Sequence, residues 1–86
     1  MKNGRYVYGD GTIRYYLNDQ FHRTDGPAIE YADGTKSWWI NGQRHREDGP
    51  AIKRADGSKA WYLKGVECTE EEFKAYKLIK QLAGLK

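Results

Sequence analysis

The stretch His22-Arg23-Thr24-Asp25-Gly26-Pro27-Ala28-Ile29 decides the architecture, because it returns 23 residues later as His45-Arg46-Glu47-Asp48-Gly49-Pro50-Ala51-Ile52. The same offset relates three Asp-Gly pairs, and it relates Tyr15, Trp38 and Trp61. A fixed period of this length is typical of repeat proteins, in which one small unit stacks on copies of itself. We therefore predict a mainly β protein, an antiparallel β-meander of 23-residue hairpin repeats with one C-terminal α-helix.

The composition narrows the class of protein. The 86 residues suit a single domain, and only 38% are hydrophobic although 14% are aromatic, so the core must depend on a few large rings. A net charge of +3 permits a nucleic-acid or acidic protein partner without requiring either. A lone cysteine, Cys68, excludes an intrachain disulfide and suits a cytoplasmic location. No stretch approaches the ~20 apolar residues of a membrane span, so we expect no membrane contact.

Turn signals divide the chain into short extended segments. Asn41-Gly42 and the Asp-Gly pairs at 10–11, 33–34 and 56–57 are dipeptides that type I′ hairpin turns prefer. Asn18-Asp19 and Lys64-Gly65 occupy the positions equivalent to Asn41-Gly42. Each Gly-Pro pair marks a break at which a strand begins. The predicted strands are 5–9, 12–17, 20–23, 28–32, 35–40, 43–46, 51–55, 58–63 and 66–67.

Both faces of the predicted sheet carry aromatic residues. Because side chains alternate along a strand, Tyr15, Trp38 and Trp61 fall on one face, and the other face carries Tyr16, Trp39 and Tyr62. A sheet with one wet face would show polar residues there. We therefore expect the second face to be covered by the helix, by curling of the sheet, by a second subunit or by a ligand.

We expect the hairpin repeats to span residues 1–67. We expect residues 68–86 to form a C-terminal capping helix. Thr69-Glu70-Glu71-Glu72 is a capping box, with Cys68 and Phe73 placed as a hydrophobic staple. The helix should run from about residue 70 to 83 and cover the last strand, since an open edge invites aggregation. Its predicted buried stripe consists of Phe73, Tyr76, Ile79, Leu82 and Ala83.

The two His-Arg-x-Asp sets resemble groups for acid–base chemistry or metal binding, but we interpret them as structural. A catalytic set is normally built once, whereas this one recurs in each unit. Asp25 and Asp48 are placed to bond backbone amides in turns, and each arginine can pair with a carboxylate or stack on a tryptophan. Two histidines and one cysteine are too few for a metal site. We predict no catalytic residue, no metal and no cofactor.

The candidate binding residues are of two kinds. Three form what we call the aromatic ladder, Tyr16, Trp39 and Tyr62, and four lie beside it, Arg23, Arg46, His22 and His45. Three interpretations stay open for the ladder. In the first, the ladder belongs to the core or to a dimer contact. In the second, it is a protein-binding face, because Trp, Tyr and Arg are enriched in such faces. In the third, its rings stack on nucleotide bases while the arginines bind phosphate.

These motifs, His-Arg-x-Asp-Gly-Pro-Ala and Asp-Gly-x-Lys-x-Trp followed by an aromatic, an aliphatic and Asn-Gly, resemble those of small phage-encoded and bacterial tandem-repeat proteins. These proteins are similar to MORN-type β-hairpin repeats. The resemblance covers roughly residues 10–67, and the Thr-Glu-Glu-Glu-Phe segment at 69–73 resembles a frequent ending of such proteins. It implies an accessory role in the host cytoplasm, such as host takeover or inhibition of a defence system.

We therefore expect a non-enzymatic binding protein, phage-encoded, that inhibits or sequesters a host protein. The alternative is a nucleotide or nucleic-acid binder, or a ligand sponge, that uses the aromatic–arginine face. A hydrolase or nuclease built on the His-Arg-Asp sets is the third hypothesis. A short sheet with two apolar faces and an open first strand also predicts a homo-oligomer.

Overall fold

The computed structural model describes residues 1–84 and contains short antiparallel strands followed by one helix. The glycine-punctuated sequence keeps each strand short, because a turn interrupts the pairing every few residues. The elements are β1 (Gly4–Val7), β2 (Ile13–Leu17), β3 (Gln20–Phe21), β4 (Ile29–Glu30), β5 (Lys36–Ser37), β6 (Trp39–Ile40), β7 (Gln43–Arg44), β8 (Ile52–Lys53), β9 (Lys59–Leu63), β10 (Val66–Cys68) and α1 (Glu70–Ala83).

The main sheet follows the order β1-β2-β4-β5-β8-β9-β10, with β3 paired to β2 beside it. A separate two-stranded pair joins β6 to β7. Every strand pair in the two sheets is antiparallel. The prediction of a mainly β, meander-like antiparallel sheet with one C-terminal helix is confirmed.

The predicted strand 35–40 divides into β5 and β6 because the chain changes partner at Trp38. The Trp38 N–H donates to the Ala51 carbonyl (2.8 Å), and the Trp38 carbonyl accepts from the His45 N–H (3.0 Å). Tyr15 is placed in the same way, with its N–H 2.8 Å from the Ala28 carbonyl. The backbone on one side of this residue therefore pairs within the main sheet, and the backbone on the other side forms a local hairpin.

The type I′ prediction is confirmed for the Asn-Gly position and its equivalents. Both central residues have positive φ in all three turns: 51° and 66° at Asn18-Asp19, 48° and 78° at Asn41-Gly42, and 51° and 83° at Lys64-Gly65. Lys64 adopts this left-handed conformation, although residues other than Gly, Asn and Asp rarely do so.

The type I′ prediction is wrong for the three Asp-Gly pairs. Only the glycines have positive φ there, and Gly11 (88°) donates its N–H to the Tyr8 carbonyl, as in a turn followed by a glycine bulge. The Asp10 carboxylate accepts the Thr12 N–H at 2.9 Å, and Asp33 and Asp56 accept equivalent N–H groups at 2.9 Å. This bond to the backbone two residues on stabilises an Asx-type loop, in which the aspartate keeps negative φ.

The core is thin and made largely of small side chains. Ala28 and Ala51 are fully buried directly after each Gly-Pro break, and Ile29, Ile52 and Ala60 extend this layer along the sheet. The molecule is elongated, with principal extents of 47 × 31 × 18 Å and a radius of gyration of 14.2 Å. A compact chain of this length would have a radius of gyration of about 12 Å.

The predicted bounds of the helix, about 70 to 83, are confirmed together with its capping box, whereas the predicted buried stripe is wrong beyond Tyr76. The Thr69 hydroxyl accepts the Glu72 N–H (3.1 Å) and the Glu72 carboxylate accepts the Thr69 N–H (2.8 Å), which is the predicted capping box. Phe73 is buried and Tyr76 half-buried, but Ile79 and Leu82 are 66% and 60% exposed and Ala83 is also exposed. The sheet-facing side continues instead to Lys80, whose ammonium pairs with Glu47.

Candidate functional site

Both histidines accept a hydrogen bond from the backbone of a turn 19 residues later in the chain. His22 Nδ1 accepts the Asn41 N–H at 3.0 Å, and His45 Nδ1 accepts the Lys64 N–H at 2.8 Å. In each case the accepted amide belongs to the first residue of a type I′ turn 19 positions later. An imidazole that accepts through Nδ1 carries its proton on Nε2. Nδ1 is therefore engaged in joining two hairpins.

Glu47 connects His45 to the helix. His45 Nε2 lies 3.1 Å from a Glu47 carboxylate oxygen, and with Nδ1 acting as acceptor, Nε2 is the donor. The other Glu47 oxygen pairs with the Lys80 ammonium on α1. The contacts with Lys80 and His45 lower the pKa of Glu47 below its usual value, so it stays ionised at neutral pH. Glu47 thus anchors the second half of the helix to the second His-Arg-x-Asp loop.

Arg23 stacks on an aromatic ring and closes its own loop. Its guanidinium lies 4.0 Å from the Tyr15 ring centroid. Nε donates to the Asp25 carboxylate at 2.9 Å, and Nη1 donates to the Pro27 carbonyl at 3.1 Å. A second carboxylate, that of Glu30, lies 3.3 Å from Nη1. The side chain therefore spans the Gly-Pro break and fixes its path over the sheet.

Arg46 makes the equivalent contacts in the second loop. Its guanidinium lies 3.9 Å from the Trp38 ring centroid, with Nε bonded to Asp48 (2.7 Å) and Nη1 bonded to the Pro50 carbonyl (3.0 Å). A Cβ at Gly49 would lie 3.0 Å from the Arg46 guanidinium carbon. A side chain at this position would therefore press against the arginine, a contact that sequence reasoning missed.

A groove of about 620 Å³ lies between the two loops. Its charged lining is not evenly exposed. The side chains of Asp25 and Asp48 are both 82% exposed, whereas those of Arg23 and Arg46 are 23% and 18% exposed. The arginines lower the pKa of both aspartates below the usual value, so the carboxylates stay ionised. The rim of the groove is acidic, and its lining also includes Thr24, Trp38, Ile40, His45 and Glu47.

The aromatic ladder lies on the side of the strands opposite to the groove, and other side chains of the protein cover most of it. Tyr16 is 9% exposed, and its ring lies 5.2 Å from Phe21, which in turn lies 5.3 Å from Trp39. The Arg44 guanidinium fills the space between Trp39 (4.7 Å) and Tyr62 (5.1 Å). Within residues 1–84, its buried Nε has no hydrogen-bond acceptor. The ladder is thus interleaved with Phe21 and Arg44, two residues that the sequence analysis left out.

The structure therefore divides the predicted binding residues. Arg23, Arg46 and His45 line the groove, whereas His22 and the three ladder rings do not. The groove also contains Trp38, which the sequence analysis placed on the other aromatic face. The signal that identifies the groove is the pairing of each His-Arg-x-Asp loop with an aromatic residue eight positions earlier, Tyr15 with Arg23 and Trp38 with Arg46.

Cys68 stands 23 residues after His45, where a third motif would begin, and α1 follows it directly. Its thiol lies 3.7 Å from the Trp61 carbonyl, and burial raises the pKa of the Cys68 thiol above its usual value. A protonated thiol is a poor nucleophile.

Across the described part of the chain, no group of three or more His, Cys, Asp or Glu side chains is placed to hold a metal ion. No helix within residues 1–84 has the length and apolarity required to span a bilayer.

Comparisons with protein-family models, with curated proteins and with solved structures found no match to this chain. The resemblance to phage and MORN-type repeats therefore remains a prediction from the motifs.

Proposed function

We propose that the protein is a non-enzymatic binding protein, in which tandem 23-residue hairpin units present the groove to a protein partner. The observation that carries the proposal is the engagement of the His-Arg-x-Asp side chains with their own chain. Both histidines accept a backbone N–H through Nδ1, and both arginines bond an aspartate and a proline carbonyl. Groups held in this way serve as braces between loops and are not free to transform a substrate.

Recurring backbone bonds support the repeat architecture within this proposal. The Ala28 N–H donates to the Ser37 carbonyl at 2.8 Å, and the Ala51 N–H donates to the Ala60 carbonyl at 2.9 Å. Likewise, the Gly42 N–H donates to Phe21 and the Gly65 N–H donates to Arg44, both at 2.9 Å. Donors and acceptors in each pair of bonds are shifted by 23 residues. Stacked units that make the same contacts would explain the elongated shape.

The chemistry of the groove favours a partner segment that is basic and partly apolar. Trp38 and Ile40 provide apolar surface, and the exposed carboxylates of Asp25 and Asp48 provide negative charge at the rim. Tryptophan and arginine are enriched where binding energy concentrates in protein interfaces. The resemblance to phage proteins extends this proposal to a host protein, such as one that serves in defence, which the chain sequesters or inhibits in the cytoplasm of the host.

The test compares two tryptophan substitutions. Thr24→Trp fills the groove from an exposed lining position, and Ala55→Trp adds the same side chain at an exposed position outside it. A partner recovered from host lysate is purified, and its affinity for each variant is measured by calorimetry. We expect Thr24→Trp to weaken binding about 10-fold or more, which corresponds to roughly 1.4 kcal/mol, and Ala55→Trp to leave it unchanged.

Equal binding by both variants would exclude the groove as the site. Recovery of no partner, together with nucleotide turnover by the pure protein, would contradict the non-enzymatic proposal. Loss of the biological effect in a folded His22→Ala/His45→Ala variant that still binds the partner would favour the hydrolase or nuclease hypothesis.

The nucleotide, nucleic-acid or ligand-sponge alternative receives less support from the contacts. Its stacking rings are covered by Phe21 and Arg44, and the guanidinium groups that would meet phosphate already bond Asp25 and Asp48. Titration of tryptophan fluorescence with nucleotides and short oligonucleotides at low salt tests it. Quenching that saturates and weakens with salt would establish the alternative.

Self-association is the remaining prediction from the sequence. α1 leaves Leu78, Ile79 and Leu82 exposed by 57%, 66% and 60%. Sedimentation at increasing protein concentration tests for a homo-oligomer, with Leu82→Gln as the variant that reduces the exposed apolar surface.

A further inference from the structure

The ammonium group of Lys2 lies beside three tyrosine side chains near the N-terminus, close to the rings of Tyr16 and Tyr6 and 3.4 Å from the hydroxyl of Tyr8. Lys2 Nζ is 5.0 Å from the Tyr16 ring centroid and 5.9 Å from the centroids of both Tyr6 and Tyr8. A cation within about 6 Å of an aromatic centroid is attracted by the negative face of the ring. We refer to Tyr6, Tyr8 and Tyr16 as the tyrosine cage. Its members do not line the groove between the His-Arg-x-Asp loops.

The β1–β2 hairpin builds the tyrosine cage. Tyr6 and Tyr8 are two positions apart on one side of β1 and the residues that follow it, and Tyr6 pairs with Arg14 on β2, two positions before Tyr16. The rings of Tyr6 and Tyr16 meet at 90° with their centroids 5.4 Å apart, and the hydroxyls of Tyr8 and Tyr16 are 2.9 Å apart. Arg14 lies 4.5 Å from the Tyr8 centroid. These contacts place two rings, those of Tyr6 and Tyr16, and the Tyr8 hydroxyl around one cation.

The N-terminal backbone is tied to the sheet independently of the Lys2 side chain. The Lys2 N–H donates to the Asp19 carboxylate, and the Asp19 N–H donates to the Lys2 carbonyl at 3.0 Å. The Asn18 N–H donates to the Asn3 side chain at 2.8 Å. Withdrawal of the ammonium therefore leaves the segment in place. The hydrogen bond with Tyr8 raises the pKa of Lys2 above its usual value, so the resident group is a full cation.

We propose that the tyrosine cage is a binding site for a methylated ammonium group, which displaces the Lys2 side chain from the three tyrosines. Aromatic cages recognise quaternary ammonium and methyl-lysine groups. A primary ammonium is a compact and strongly hydrated charge. Methyl groups weaken its hydration and enlarge its contact with the rings, which gives the ligand an advantage over Lys2. The ligand takes the position of one positive charge beside Arg14, and the displaced Lys2 ammonium moves out into solvent, where its charge is screened.

The methylated ammonium group can belong to a choline-like small molecule or to a methyl-lysine in a protein chain, and the experiment separates these sources. Choline, a trimethyl-lysine peptide and 3,3-dimethyl-1-butanol, the neutral isostere of choline, are titrated into the protein while tyrosine NMR signals are followed. The variants are Lys2→Ala, which empties the cage, Lys36→Ala as a matched exposed lysine, and Lys2→Ala/Tyr6→Ala, which removes one ring of the cage.

We expect Lys2→Ala to bind a methylated ammonium ligand about 10-fold more tightly than the natural chain and than Lys36→Ala, because an attached side chain competes at millimolar effective concentration. The neutral isostere should not bind, and Lys2→Ala/Tyr6→Ala should lose about 10-fold in affinity. Tighter binding of the peptide than of choline would identify a protein source, and the reverse a small molecule.

The proposal is overturned if Lys2→Ala binds no methylated ammonium ligand, if the neutral isostere binds equally well, or if removal of Tyr6 has no effect. An unfolded Lys2→Ala protein would also overturn it, because Lys2 would then be a structural part of the hairpin. None of these results bears on the groove, so the proposed function is tested separately.

Discussion

Single side chains that resemble catalytic groups are used in this protein to bond its own backbone. Each His-Arg-x-Asp set satisfies two backbone groups, one amide in the next turn through histidine and one carbonyl after the Gly-Pro break through arginine. Buried or half-buried backbone groups need such partners where no strand neighbour is present. The repetition of the motif in the sequence predicts a structural use, and the contacts of the histidines and arginines agree with that interpretation. Asp25 and Asp48 differ from the prediction, because their carboxylates accept arginine Nε–H groups instead of the expected backbone amides. The amides that donate to the histidines could not be predicted, because they lie 19 residues from each histidine.

Arg46→Lys tests the value of the guanidinium fork. Lysine keeps the charge but cannot bond Asp48 and the Pro50 carbonyl together while stacking on Trp38. We expect a loss of about 1–2 kcal/mol in the free energy of unfolding, measured by urea denaturation. Arg54→Lys, at an exposed loop position, should change it by less than about 0.5 kcal/mol. Equal effects of the two substitutions would show that Arg46 contributes only its charge.

Acidification tests the lowered pKa values of Asp25 and Asp48. The arginines lower both values in the folded protein, so the unfolded chain binds protons first as the pH falls below about 4, near the usual aspartate pKa. The contribution of these ion pairs is therefore present at neutral pH and is lost as the pH falls through the folded-state values. Urea denaturation at pH 7 and pH 3 should show lower stability at pH 3. The Asp25→Asn/Asp48→Asn variant should show a smaller difference, and an unchanged difference would refute the assignment.

At the scale of elements, turn chemistry was predictable where one dipeptide fits one conformation. Asn41-Gly42 indicated a type I′ turn, and its position in the repeat correctly assigned the same turn to Lys64-Gly65. The type I′ prediction failed at the Asp-Gly pairs because this dipeptide fits two kinds of loop, a type I′ turn and a turn followed by a glycine bulge. The choice depends on the bond from each aspartate to the amide two residues on, such as Asp33 to Thr35.

Lys64→Asn tests the strain at the third type I′ turn. Lys64 has a φ of 51°, and asparagine tolerates this region better than lysine. We expect a gain of about 0.5–1 kcal/mol in the free energy of unfolding, seen as a higher Tm. Lys36→Asn, within β5, should give no gain because asparagine is disfavoured in strands. A lower Tm for Lys64→Asn would mean that the lysine side chain contributes a contact that outweighs the strain.

The helix was predictable from its capping box, but its buried side was not. The spacing of apolar residues in the helix predicts a buried stripe from Phe73 to Leu82. That spacing does not show how many turns of the helix lie over the sheet. Phe73→Ala should cost about 3–5 kcal/mol in the free energy of unfolding, because Phe73 is buried over the sheet. Leu82→Gln, at an exposed position, should cost less than about 0.5 kcal/mol. A comparable cost for both substitutions in urea denaturation would contradict the observed packing.

At the scale of the whole molecule, the protein compensates for a thin core with cations stacked on rings. Arg23 and Arg46 each lie on one aromatic ring, and Arg44 lies between two. Lys2 lies close to the rings of Tyr6 and Tyr16. The sequence predicted that both faces carry aromatic residues and need a cover. It left open which residues cover those faces. The alternation of side chains along a strand assigns each residue to a face, but it does not identify the cation, distant in sequence, that lies on that face. Much of the cover is supplied by the chain itself.

The tautomer of the two histidines tests most directly the central claim, that His22 and His45 brace the hairpins. Long-range proton–nitrogen NMR correlations, recorded at a pH where both imidazoles are neutral, distinguish a proton on Nε2 from one on Nδ1. We predict that both rings carry the proton on Nε2, with Nδ1 accepting the amides of Asn41 and Lys64. A proton on Nδ1 in either ring, or rapid exchange between the two forms as in a free imidazole, would contradict this role.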